Sequence, residues 1–124
     1  MVKQSMIFAA GLGKRMLPIT SSLPKPLIKI NNKSILKTNI EKLLKVGFKK
    51  IVVNAFHFPE KIKTEVKDYY PTVEVVIEKE RLETGGGVLN AINKDYLEGK
   101  EPLLLINGDI IWVNQINTFR ACLI

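Results

Sequence analysis

Short apolar runs and stretches of helical spacing alternate along this chain, and turn-forming residues mark the switches. Runs at 5–10, 50–54, 73–78 and 102–106 are too brief for helices. They read as four strands, and the unbroken Leu103-Leu104-Leu105-Ile106 reads as a central strand covered on both faces. Ser34 is placed to cap a helix with Leu36, Ile40, Leu43 and Leu44 on one face, and Gly47 to close it. Pro59 suits a first helical position, with Glu60 behind it where the helix dipole favours an acid. Ile62, Val66 and Tyr69 then face inward until Pro71 ends that helix. A third helix is expected to begin near Gly85-Gly86-Gly87 and to run through Val88, Leu89 and Ile92 to about Tyr96. Residues 27–30 read as a short extended piece, and Asn31-Asn32-Lys33 as a turn.

Strands alternating with helices give an α/β domain with a Rossmann-like, mainly parallel sheet. Right-handed crossovers put the second and third strands on one side of the first. The length of 124 residues suits one domain, and 46% hydrophobic with 25% charged residues suits a globular one. No apolar run reaches the roughly 18 residues that a membrane span requires. Residues 1–5 lead straight into a strand with no signal-peptide pattern, and the single cysteine, Cys122, has no internal disulfide partner. A cytoplasmic setting is expected, with no membrane partner. The net charge of +7 raises the question of nucleic acid. The lysines are dispersed, without a stripe interleaved with aromatics, which excludes that partner. Only Lys14, Arg15 and Lys25 suggest a cluster, and an anionic small substrate accounts for it.

The candidate chemistry lies at the strand ends. Ala9-Ala10-Gly11-Leu12-Gly13-Lys14-Arg15-Met16 follows the first strand, and Leu23-Pro24-Lys25-Pro26-Leu27 follows in turn. Two glycines let the backbone approach a ligand, and the cations supply a guanidinium fork and point-charge ammoniums. Together these suit a polyphosphate. Glu83-Thr84-Gly85-Gly86-Gly87 reads plainly as a flexible helix start, yet its glycines weaken a helix by on the order of 1 kcal/mol each. Such a cost suggests close approach by something planar, such as a nucleobase. Asp109, after Asn107-Gly108, reads locally as an Asx-turn residue. Asn54 stands at the end of the second strand, where a dinucleotide-binding domain has an acid, and Met16 replaces the third glycine of G-x-G-x-x-G. A P-loop is absent. His57 reads as structural or solvent-facing.

These segments resemble the signature of the sugar 1-phosphate nucleotidyltransferases, also called sugar-nucleotide pyrophosphorylases, over about residues 5–109. Gly11, Gly13, Arg15 and Lys25 stand at the positions of the family's G-x-G-x-R and P-K-P patterns. The sequence is most similar to the N-acetylmuramate 1-phosphate uridylyltransferases and the mannose 1-phosphate guanylyltransferases. The resemblance implies strand order 3-2-1-4, with a cleft between the first and fourth strands. It implies a nucleoside triphosphate (UTP favoured, GTP the alternative), a sugar 1-phosphate and Mg2+ as ligands. Such enzymes supply nucleotide-sugars, here for cell wall and peptidoglycan recycling. Arg15 and Lys25 take catalytic roles by this resemblance. Ala10, Gly11, Gly13, Lys14, Glu83, Thr84, Gly85, Gly86 and Asn107 take nucleotide-binding roles, and Asp109 becomes the metal ligand.

Residues 1–109 thus read as the nucleotide-binding part of such a domain, truncated after its fourth strand, and 110–124 as an atypical tail. The acceptor-sugar half is expected to be absent, which leaves an alternative: a non-catalytic nucleotide-binding fragment, a split subunit or a pseudogene product. The exposed edge of the fourth strand is then expected to favour association with other chains.

Overall fold

The computed structural model describes residues 3–11, 17–18, 21–82 and 84–110. Strand β1 (Gln4–Phe8) lies at the centre of a four-stranded sheet with β4 (Lys50–Ala55), β5 (Val73–Ile77) and β6 (Leu103–Asn107). The order is β5-β4-β1-β6, and each neighbouring pair is parallel. This is the expected 3-2-1-4 order of the four runs. The first strand stops two residues earlier than its apolar run, because Ala9 and Ala10 already belong to the loop at its carboxyl end.

Among the described residues, three α-helices cover the sheet. Ser34 caps α1 (Ile35–Val46): its hydroxyl accepts the backbone N–H of Lys37 at 3.0 Å, satisfying a donor that the first turn leaves free. Gly47 ends the helix at φ 105°, a left-handed conformation that a side chain would strain. Pro59 opens α2 (Pro59–Val66) as expected, with Ile62 and Val66 buried. Tyr69 falls in a following 3-10 turn and is only half-buried, because its hydroxyl donates to Glu41 of α1 at 3.1 Å. The triglycine is helical within α3 (Thr84–Asn93), which stops three residues short of Tyr96. The extended piece and turn at 27–33 form a small hairpin, β2 (Lys29–Ile30) with β3 (Lys33–Ser34). Its corner, Asn31 and Asn32 at φ 54° and 66°, takes the left-handed pair that tight hairpins require.

The sheet separates two apolar clusters. Ile7, Val53, Ile106 and the inward residues of α1 and α2 form one. Met6, Val52, Val76 and Leu103 pack against Val88 and Ala91 of α3 in the other. Leu103, Leu104 and Ile106 are buried, as a strand covered on both faces requires. No described helix is long and apolar enough to cross a membrane.

Candidate functional site

From β1 the chain crosses to β4 and then β5 on one side, while β6 lies on the other. The strand order therefore reverses between β1 and β6, where open α/β sheets bind ligands at their carboxyl ends. The backbone ladder of this pair continues past the strands. The N–H of Gly108 donates to the carbonyl of Phe8 at 2.8 Å, so the turn after β6 sits directly against the end of β1.

Lys25 reaches this point from a distant stretch of chain. Pro24, Pro26 and Leu27 are buried around one turn of 3-10 helix, and Lys25 between them is turned outward. Its Nζ lies 3.0 Å from a carboxylate oxygen of Asp109, both side chains being about one-third exposed. The fold thus brings together a cation and an acid 84 positions apart in sequence. An ion pair this exposed adds little stability by itself, so each partner remains available to a ligand.

A second polar group underlies the neighbouring loops. Asn54 at the end of β4 is buried, and its Oδ1 accepts the Ala9 N–H at 2.7 Å. Its Nδ2 donates to the buried carboxylate of Glu78 at 3.1 Å. The other Glu78 oxygen accepts the N–H of Leu82 at 3.4 Å, just before α3. Asn54 and Glu78 therefore tie the loop after β1 to the loop after β5. Sequence reasoning gave them no such role. Their signal is a polar residue closing each of two apolar strands.

The glycines serve different purposes. A Cβ on Gly87 would come within 3.1 Å of Glu78 and 3.2 Å of Asn54, so internal packing explains that one. Among the described residues, Gly11 and Gly85 have nothing within 4 Å of such a carbon, and Gly86 meets only Leu82 at 3.5 Å. No described residue fills the space beside them. Ala10 is buried, whereas Gly11, Thr84, Gly85, Gly86 and Asn107 are exposed. Gly13, Lys14, Arg15 and Glu83 lie outside the described residues.

Among the described residues no group of three or more His, Cys, Asp or Glu is arranged to hold a metal. Asp109 alone is still chemically suited to magnesium, which takes one or two carboxylates and fills its remaining positions with water and substrate phosphates.

A parallel sheet reversing at β1 and β6, with helices on both faces, places the chain among the Rossmann-like α/β folds. Residues 4–121 match the Nucleotidyl transferase family, and the chain belongs to it. It is 32% identical over 119 residues to the N-acetylmuramate alpha-1-phosphate uridylyltransferase of Caulobacter vibrioides, covering 91% of this chain and 48% of that protein. It is 32% identical over 112 residues to the D-glycero-alpha-D-manno-heptose 1-phosphate guanylyltransferase of Aneurinibacillus thermoaerophilus, covering 89% and 47%. Among solved structures, HddC from Yersinia pseudotuberculosis complexed with GMP-PN superposes with a TM-score of 0.73 at 32% identity, covering 87% of this chain and 48% of that one. The chain spans about half the length of these relatives.

Proposed function

We propose that this chain carries the nucleotide-binding portion of a sugar 1-phosphate nucleotidyltransferase, with the triphosphate seated over the carboxyl ends of β1 and β6. One observation carries the reading: Lys25 and Asp109 meet at the strand-order reversal, 3.0 Å apart. In the reaction, a phosphate oxygen of the sugar 1-phosphate attacks the α-phosphorus of the triphosphate. The bond from that phosphorus to the oxygen bridging to the β-phosphate breaks, and pyrophosphate leaves. No protein nucleophile is needed, so the protein aligns the reactants and neutralises charge. Lys25 is assigned to the α-phosphate, and Arg15, assisted by Lys14, to the leaving pyrophosphate. Asp109 would hold magnesium, which would supply further neutralisation of the phosphates. The open space at Gly11, Gly85 and Gly86 receives the nucleotide, with Ala10, Gly13, Glu83, Thr84 and Asn107 around it.

UTP is the favoured nucleotide, because Glu83-Thr84-Gly85-Gly86-Gly87 resembles the uridylyltransferase subgroup. The guanylyltransferase among the relatives makes GTP the alternative. A second reading is nucleotide binding without transfer. Among the described residues β6 is paired to β1 alone, and association through its other edge is part of this proposal.

Calorimetry with UTP and GTP, with and without magnesium, tests binding. Magnesium-dependent binding that weakens in Arg15→Ala is expected, and equal binding by that variant would refute the phosphate assignment. Pyrophosphate release from UTP and a sugar 1-phosphate separates the two readings: its presence supports transfer, and its absence despite binding supports the binding-only reading.

A further inference from the structure

Helix α1 turns Ile35, Leu36, Asn39, Ile40 and Leu43 inward, and Asn39 is the one polar residue in that row. Its carboxamide is completely buried. Nδ2 donates to the carbonyl of Ile110 at 2.7 Å, while Oδ1 finds no donor among the described residues. The gain from one hydrogen bond is thus set against the loss from one dehydrated acceptor, and the two roughly cancel. A leucine of similar size would fill the position without that loss. Counted over the described residues, stability alone gives no reason for an amide here.

Its location supplies one. Ile110 immediately follows Asp109. The turn bearing Asp109 is anchored upstream by the Gly108 N–H on the Phe8 carbonyl at 2.8 Å. Downstream it is anchored by Asn39 on the Ile110 carbonyl. Asp109 stands between the two anchors. Its pairing with Lys25 is too exposed to fix it, and magnesium demands nearly ideal octahedral placement of each ligand. We infer that Asn39 is a positioning residue: through the Ile110 carbonyl it sets the Asp109 carboxylate where a magnesium–nucleotide complex is bound. The inference rests on the reading of Asp109 as the metal ligand.

The test uses the whole 124-residue chain. Asn39→Leu, Asn39→Ala and Asp109→Asn are compared with the parent by thermal unfolding and by calorimetry with UTP, in magnesium and in EDTA. Asn39→Leu is expected to unfold cooperatively at or above the parent temperature and to bind metal-free UTP unchanged. Its magnesium-dependent gain in affinity is expected to fall by about five-fold, the worth of one hydrogen bond. A merely structural role would lower both modes of binding together. Asn39→Ala removes the donor without adding charge or bulk, so it serves if the leucine variant does not fold. A full magnesium gain in a folded Asn39 variant would overturn the inference, as would failure of both variants to fold. A full gain in Asp109→Asn would overturn the metal-ligand reading itself, and this inference with it.

Discussion

Replacing Gly108 by alanine tests the junction that brings β6 against β1. A Cβ there would lie 2.6 Å from the Phe8 carbonyl oxygen, 3.2 Å from Pro26 and 3.3 Å from Ile7. The first contact is below anything a real methyl adopts, and its partner is backbone in the middle strand of the sheet. The turn cannot simply back away, because its own N–H donates to the same oxygen at 2.8 Å. Overpacking of this kind costs about 1–3 kcal/mol, and losing the hydrogen bond adds about 0.5–1.5 kcal/mol. A total of about 1.5–4.5 kcal/mol corresponds to a fall in Tm of roughly 6–18 °C for a domain this size. Pro26 lies in the path of the movement, so the Lys25–Asp109 pair should separate too. Urea unfolding of Gly108→Ala gives the stability change, and magnesium-dependent UTP binding gives the effect on the site. A variant within about 0.5 kcal/mol of the parent, the range of an ordinary surface change, would refute the overpacking argument.

Other outcomes follow from the same geometry. Gly85→Ala should leave stability unchanged or raise it by up to about 1 kcal/mol while weakening UTP binding, since its open side is where the nucleotide is placed. Gly87→Ala should destabilise through its contacts with Glu78 and Asn54; equal behaviour of the two variants in calorimetry and melting would remove the distinction. Ser34→Ala should cost about 1 kcal/mol by loss of the cap, read as a lower urea midpoint with an unchanged slope. Burial, and then the hydrogen bond to Glu41, push the Tyr69 hydroxyl up to about 12. A raised folded-state pKa gives stability that is complete below about pH 10 and lost as pH rises towards 12. Melting of the parent should therefore drop relative to Tyr69→Phe across that interval, and parallel curves would contradict the assignment.

The elements were legible because their signals are local. Ser34 and Gly47 bracket a periodic stretch, and both do what their chemistry predicts. The meeting of Lys25 with Asp109 was legible only through the family resemblance, which implies the strand order that lets these loops share an edge. What stayed hidden were polar residues whose partners are remote. Asn54 and Glu78 look like ordinary strand ends until their side chains meet 24 positions apart. Asn39 lies three residues after Leu36 and one before Ile40, on the apolar face, and a polar residue in a core position was a readable signal. Its partner, Ile110, is 71 residues away and could not be read. Gly108 likewise looked like a turn residue, because nothing in the sequence shows how closely two strands approach beyond their last pair.

The central claim concerns where a nucleotide binds, and amide chemical-shift mapping of the labelled chain against magnesium–UTP tests it most directly. Perturbations are expected at Ala9, Ala10 and Gly11, at 84–87, and at 107–110. Shifts clustered instead around Lys63, Tyr70 and Tyr96, which line a groove along β5 at the far edge of the sheet, would contradict the account.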